Sequence, residues 1–437
     1  MTQRYEARPA ARVAGELEVP GDKSISHRAL MLAGIAEGRS EVRGFLPSED
    51  CLATLAAMRS LGVTIERPAA DRVFVDGAGL RGLSAPTAAL DMGNAGTAMR
   101  LFTGLLCAQR FDATLVGDAS LMKRPMERVA QPLRTMGADV RTTDGTPPVR
   151  IVGGRRLHGI DYRLPVASAQ VKSAILLAGV YAEGATTVSS PAISRDHSER
   201  MLRGFGATVE VDGLRVRLEP PARLEAQRLQ VPGDFSSAAF FIVAGLIAAD
   251  PAGLLIRNVG VNPSRTGLLT ILRAMGAEIE VLDVRDEASE PVADLRVHRS
   301  ALRGIAVPKD WVPLAIDELP VLFVAAAGAH GETVVTGAEE LRVKESDRIA
   351  AMSAGLRAIG VEHEALPDGM RIAGAGDAPW NGGVVDSHGD HRVAMSFAVA
   401  SLRARAPIEV RDVANVATSF PGFVERARAI GIDVRES

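Results

Sequence analysis

The apolar positions of this chain fall into two alternating kinds of helical segment. One kind is apolar on nearly every face: residues 26–36, 96–108, 168–181, 236–249, 317–327 and 391–402, with Ala238-Ala-Phe-Phe-Ile-Val-Ala-Gly-Leu-Ile as the extreme. A helix without a polar face has to be buried. The other kind is amphipathic, more exposed, and ends in a recurrent Leu/Met/Ala-Arg-x-φ-Gly pattern (φ apolar) followed by a strand-like run. It occurs as Met58-Arg-Ser-Leu-Gly62, Leu133-Arg-Thr-Met-Gly137, Leu202-Arg-Gly-Phe-Gly206, Leu272-Arg-Ala-Met-Gly276, Leu356-Arg-Ala-Ile-Gly360 and Ala427-Arg-Ala-Ile-Gly431. Glycine after a last helical turn is the expected left-handed cap. The alternation beyond it is that of a strand.

These elements make a unit of helix, strand, helix and two strands, roughly 70 residues long and present six times. Repeats of that size build domains rather than solenoids. A chain of 437 residues exceeds one ordinary core, so the six units imply an α/β protein of two similar domains, three repeats in each. Pro-Gly-Asp stands at Pro20-Gly21-Asp22 and again at Pro232-Gly233-Asp234, each time before an all-apolar helix. These points divide the chain into a domain of 21–232 and a discontinuous one of 1–20 plus 233–437, with a two-stranded hinge near 20–22 and 232–234. At the first of them, Ser24 or Ser26 is the expected helix cap.

Composition narrows the function. An apolar fraction of 47% with 24% charged residues describes a soluble globular chain. The longest apolar run, 238–249, falls short of the ~20 residues that cross a bilayer. Residues 1–11 lack the apolar core of a signal peptide. Cys51 and Cys107 offer no disulfide framework and point to the cytoplasm; neither has a nearby His to activate it, so both read as core thiols. A net charge of −3 and 4% aromatics exclude a general nucleic-acid field. Anion binding must therefore come from local clusters.

Such clusters stand where the all-apolar helices begin. The six starts carry Lys23, Ser24 and Arg28; Gly93-Asn94-Ala-Gly96-Thr-Ala-Met-Arg100; Ser168-Ala169-Gln170-Val-Lys172; Asp234-Phe-Ser236-Ser237; Asp317-Glu318; and Asp386-Ser-His388-Gly-Asp390-His391-Arg392. Nearby loops add Lys123-Arg124-Pro125, Ser194-Arg195-Asp196-His197, Asn262-Pro-Ser-Arg265 and Arg342-Val-Lys344-Glu345-Ser-Asp347-Arg348. If the buried helices of a domain run parallel, their N-termini share one face, and two such faces across a hinge form a cleft for a substrate bearing several phosphates or carboxylates. Gly-Asn-Ala-Gly-Thr lacks the Gly-Lys-Ser/Thr of a Walker loop and the spacing of a dinucleotide fingerprint. His388 and His391 lack a clustered third ligand for a metal. His27 reads as a packing residue. Asp317 is the strongest acid/base candidate, although it could simply cap its helix. Glu345, between Lys344 and Arg348, reads as held by cations or as a proton relay.

Several motifs together resemble the 3-phosphoshikimate 1-carboxyvinyltransferase (EPSP synthase) family: Pro20-Gly-Asp-Lys-Ser-Ile-Ser-His-Arg-Ala, Gly93-Asn-Ala-Gly-Thr-Ala-Met-Arg, Arg124-Pro-Met, Arg342-Val-Lys-Glu-Ser-Asp-Arg and Asp390-His-Arg. Ser168-Ala-Gln-Val-Lys and Ser194-Arg-Asp-His-Ser-Glu are similar to the bacterial class II subgroup. The resemblance implies two domains of three βαβαββ units around buried parallel helices, an inside-out α/β barrel. It implies transfer of the enolpyruvyl group of phosphoenolpyruvate to the 5-hydroxyl of 3-phosphoshikimate, through a tetrahedral intermediate and without metal or organic cofactor. A cytoplasmic monomer acting on these two small anions, with no nucleic-acid or membrane partner, is the corresponding expectation. Position by position, it implies that Lys23, Ser24, Arg28, Ser168, Ala169 (through its backbone), Gln170, Arg195, Asp317 and Lys344 hold 3-phosphoshikimate. Lys23, Asn94, Gly96, Arg124, Gln170, Arg348 and Arg392 would hold phosphoenolpyruvate. Asp317 would accept the hydroxyl proton, and Glu345, with Lys23 as rival, would serve the methylene carbon. Many relatives carry a Lys before the Thr-Phe-Pro of the last unit, where this chain has Ala417-Thr418-Ser419-Phe420-Pro421. Gly96 is the position at which an added methyl would crowd the family's inhibitor, glyphosate.

The alternatives are the related transferase that acts on a UDP-amino sugar and a non-catalytic anion-binding module. Opposed cationic faces need a bridging anion, so the two domains are expected to close on 3-phosphoshikimate. Small-angle scattering should show a smaller radius of gyration at saturating ligand; an unchanged radius would count against closure.

Overall fold

The computed structural model describes residues 3–287 and 289–437. The chain divides into two compact units, one of Met1–Pro20, Pro232–Arg285 and Pro291–Ser437, the other of Gly21–Val231 and Asp286–Glu290. The architecture is α/β, and its repeat is complete within the second copy. There, strand Leu90–Asp91, helix Gly96–Leu106, strand Ala113–Val116, helix Glu127–Thr135 and the hairpin Asp139–Thr143/Thr146–Val152 follow in order. In its sheet the strand before the buried helix lies parallel to the strand after it, and the hairpin adds two antiparallel neighbours. The third copy repeats this with Asp161–Arg163, Thr186–Ser189, Arg215–Leu218 and Val209–Asp212.

Where the chain passes between units, strand order and sequence order part company. Strand Val13–Glu18 precedes the Lys23–Ile35 helix, yet it pairs in parallel with Ala249–Gly260. Strand Arg228–Gln230 precedes the Phe235–Ala248 helix, yet it pairs in parallel with Glu37–Arg43. Each passage thus leaves the opening strand of a repeat behind in the unit it came from. The last copy has a similar debt to the start of the chain. Strand Arg4–Arg8 lies antiparallel between Ile408–Arg411 and Asp433–Glu436, in the place that Thr146–Val152 takes in the second copy. A hydrophobic pattern shows strands one at a time and cannot show which distant strand completes a sheet.

The six all-apolar segments are helices at Lys23–Ile35, Gly96–Leu106, Ala169–Gly179, Phe235–Ala248, Leu319–Ala327 and His391–Ala400. Every residue from Ile25 to Ile35 is buried, as is the Phe235–Ala248 helix except at Ile247. The cap of the first helix is Asp22, not Ser24 or Ser26: its carboxylate accepts from Ile25 N at 2.9 Å. Asp234 does the same for Ser237 N at 3.1 Å. An acid in extended conformation at the cap satisfies an orphan N–H and faces the positive end of the helix. Both serines lie inside the helix, and Ser26 Oγ instead accepts from Leu46 N at 3.1 Å. Two buried helices meet backbone to backbone, since a Cβ on Gly104 would fall 2.1 Å from the carbonyl oxygen of Ala174. Among the described residues no helix is long and apolar enough to cross a membrane.

The borrowed N-terminal strand is fastened by Tyr5. Its ring stacks on Phe423 with centroids 6.1 Å apart, beside Phe240, Phe241 and Phe420. Tyr5→Ala should cost about 3 kcal/mol of unfolding free energy, as expected for emptying a buried aromatic site. Urea unfolding tests this; an unchanged midpoint would contradict the strand's structural role.

Candidate active site

In the unit containing residues 21–231, the three buried helices start side by side, because their first turns bond one another. Gln170 Nε2 donates to Thr97 Oγ1 at 2.8 Å, and Arg100 Nη1 donates to Gln170 Oε1 at 2.5 Å. Arg28 Nη2 donates to Ser173 Oγ at 2.8 Å. The helix axes are therefore parallel, with their positive ends on one face. Arg28 is buried and also donates to Ser198 Oγ at 2.7 Å and to the Ser24 carbonyl at 2.9 Å. Burial pulls its pKa down to about 10; Glu199 and Asp22 oppose the shift and neighbouring Arg195 adds to it. It remains a cation at neutral pH.

Lys23 Nζ lies 2.6 Å from Asp50 Oδ2, in a pair that is mostly out of water. Arg124 Nη2 donates to Asn94 Oδ1 at 2.6 Å and its Nη1 to the Asn94 carbonyl at 3.3 Å, which binds the glycine-rich turn to the Lys-Arg-Pro loop. A Cβ on Gly96 would sit 3.0 Å from Arg124 Nη1 and 3.4 Å from Arg100 Nη1. An added methyl would press on the Arg124 guanidinium, which would have to move by a few tenths of an ångström. Ser168 is the cap of the third helix, its Oγ accepting from Val171 N at 3.4 Å. Ala169 is that helix's first residue, so its N–H has no intrahelical acceptor. Lys172 is turned inward to a buried pair with Glu199, at 2.6 Å.

The other unit has an equivalent face, on which acids and cations interleave. Asp317 precedes the Leu319–Ala327 helix, and its Oδ1 lies 3.5 Å from Lys344 Nζ and 3.4 Å from Arg348 Nη1. Arg348, 1% exposed, also donates from Nε to Asp390 Oδ2 at 2.8 Å and from Nη2 to Glu345 Oε2 at 2.5 Å. Burial alone would discourage its charge, but Asp390, Glu345 and Asp317 outweigh that and raise its pKa. Asp390 caps the His391–Ala400 helix through Arg392 N and Val393 N. Arg392 Nη1 donates to the Asp317 carbonyl at 2.9 Å. Arg348 thus gathers Asp317, Glu345 and Asp390, and Asp390 in turn caps the helix that carries Arg392. Thr418 is buried and donates to the Asn415 carbonyl at 2.7 Å.

Two readings from sequence need correction. Asp317 is not a helix cap; the residue at that position is Glu318, and it makes no side-chain cap bond. Cys51 does have a histidine at hand, with Sγ 4.0 Å from His27 Nε2. Burial raises the Cys51 thiol, and burial together with Lys23 and Arg28 lowers His27, so both stay neutral and no thiolate forms. Sequence reasoning also left Asp50 and Arg100 out of the site. Asp50 lies 27 residues from Lys23 with no local signal of the pairing, whereas Arg100 was visible at the end of its glycine-rich motif.

The fold is shared with an enolpyruvyl transferase, NikO of Streptomyces tendae, at TM-score 0.79 over 100% of this chain and 99% of that one, with 18% identity. At that identity the likeness concerns architecture alone. Sequence carries it further. The family model for EPSP synthase (3-phosphoshikimate 1-carboxyvinyltransferase) matches residues 7–427. The 3-phosphoshikimate 1-carboxyvinyltransferase of Methylococcus capsulatus is 58% identical over 99% of this chain and 98% of its own length. The solved EPSP synthase of Acinetobacter baumannii matches at TM-score 0.90 and 51% identity, covering 100% of both chains. The chain belongs to the EPSP synthase family.

Proposed function

We propose that the residues at the helix starts of each unit hold phosphoenolpyruvate and 3-phosphoshikimate. The chain is a 3-phosphoshikimate 1-carboxyvinyltransferase of the shikimate pathway. The observation that carries the residue assignment is Asp317, a mostly buried carboxylate held 3.4–3.5 Å from two cations at the start of an apolar helix. In our reading Lys23, Ser24, Arg28, Ser168, the Ala169 N–H, Gln170, Arg195, Asp317 and Lys344 hold 3-phosphoshikimate. Phosphoenolpyruvate is held by Lys23, Asn94, Gly96, Arg124, Gln170, Arg348 and Arg392. For Arg348 this means exchanging one of its carboxylate partners for a substrate oxygen. Arg392 Nε is buried with no acceptor among the described residues, which supports an anion there.

The chemistry then follows the positions of the protons. Asp317 takes the proton of the 5-hydroxyl as that oxygen bonds to C2 of phosphoenolpyruvate. Glu345 or Lys23 protonates C3, giving the tetrahedral adduct. Loss of a C3 proton with cleavage of the C2–O bond to phosphate restores the double bond and releases phosphate. The Arg and Lys groups stabilise charge on phosphate and carboxylate oxygens at both stages. We read the enzyme as a cytoplasmic monomer.

Phosphate release from phosphoenolpyruvate should require 3-phosphoshikimate and not respond to a UDP-amino sugar; the reverse would favour the related transferase, and binding of both ligands without turnover would favour the anion-binding module. Lys23→Ala should lower kcat/KM by about 100-fold or more, whereas Lys309→Ala, outside both clusters, should stay within about twofold. Equal effects of the two substitutions would sink the assignment.

A further inference from the structure

Glu318 stands at the N-cap position of the Leu319–Ala327 helix, is 2% exposed, and does not cap. An acid in that place ordinarily turns back to the first N–H groups. Here it turns sideways. Ser236 Oγ donates to Glu318 Oε1, and the same Ser236 oxygen accepts from Arg265 Nη2 at 3.0 Å. Arg265 Nη2 in turn reaches Asp234 Oδ1, the cap of the Phe235–Ala248 helix, at 3.3 Å. On its other side Glu318 Oε1 lies 3.9 Å from Arg392 Nη1, the nitrogen that also donates to the Asp317 carbonyl. The first turns of three buried helices are therefore joined through one carboxyl group.

We propose that Glu318 is a positioning residue for Arg392, fixing the guanidinium that engages phosphoenolpyruvate. Arg392 has a long, flexible stem, and a single bond to a backbone carbonyl leaves it free to rotate about that bond. A carboxylate 3.9 Å from Nη1, itself held by Ser236, attracts that side of the guanidinium and restricts this rotation, which leaves the edge with the unpartnered Nε to meet a substrate anion. The hydroxyl of Ser236 has one proton to give, and Arg265 donates to its oxygen, so the proton is directed to Glu318. The inference rests on the assignment of Arg392 to phosphoenolpyruvate.

The test is a double-mutant cycle read in separate KM values for the two substrates. Glu318→Ala should raise KM for phosphoenolpyruvate about tenfold, leaving KM for 3-phosphoshikimate and kcat within about threefold. Ser236→Ala should move the same constant in the same direction by less. Glu318→Gln keeps an acceptor for Ser236 and removes the charge, and should fall between Glu318→Ala and the parent. Adding Glu318→Ala to Arg392→Ala should change nothing further. If Arg392→Ala leaves KM for phosphoenolpyruvate unchanged, the assignment of Arg392 fails. If Arg392→Ala raises it and Glu318→Ala does not, or the two effects add, the positioning role fails. Should Glu318→Ala not fold, as thermal melting would show, Glu318→Gln decides alone: an unchanged KM for phosphoenolpyruvate overturns the proposal.

Discussion

Everything distinctive in this protein follows from starting three apolar helices side by side in each unit. Helices buried on all faces cannot carry charge along their length, so their polar residues collect at the ends. Parallel packing then brings three positive helix ends to one face, where their dipoles repel and their N–H groups lack partners. Acids answer this directly: Asp22, Asp234 and Asp390 cap their helices. Arginines and lysines added at the same ends increase the positive potential, and much of that is again balanced by carboxylates, as around Arg348. A face built this way favours anions. Some are the protein's own, and the substrates can supply the others.

The two faces solve the problem differently. In the unit with residues 21–231 the links between helices are mainly neutral acceptors for arginine: Ser173 and Ser198 for Arg28, Gln170 for Arg100, Asn94 for Arg124. In the other unit the links are carboxylates, with Asp317, Glu345 and Asp390 around one guanidinium and Glu318 beside another. On the function proposed above, the carboxylates of the second face are the groups that move protons, with Lys23 of the first face as the rival to Glu345.

Much of this was readable from the chain. The all-apolar segments and the Arg-x-φ-Gly endings gave the α/β class and the sixfold repeat, because burial on every side and a left-handed cap both have strong local signatures. The cap at Asp22 was misplaced because three candidate residues stand within five positions, and only backbone geometry distinguishes a cap from a first-turn serine. Closure of the last sheet by Arg4–Arg8, and the opening strands left behind at each passage, were invisible for a different reason. Strand pairing is non-local, and the periodicity of a strand is the same whichever sheet it enters. In the site, cations announced themselves by motif, while their partners Asp50 and Ser236 did not, being ordinary residues made special by tertiary contact.

The central claim is that the mixed face performs proton transfer through Asp317, held by Lys344 and Arg348. Its most direct test is phosphate release by Asp317→Ala in the presence of both substrates, with binding of each ligand measured on the same protein by calorimetry. The account predicts turnover lower by about 100-fold or more, as for a lost general base, with 3-phosphoshikimate and phosphoenolpyruvate still bound. Phosphate release at the parent rate would contradict it.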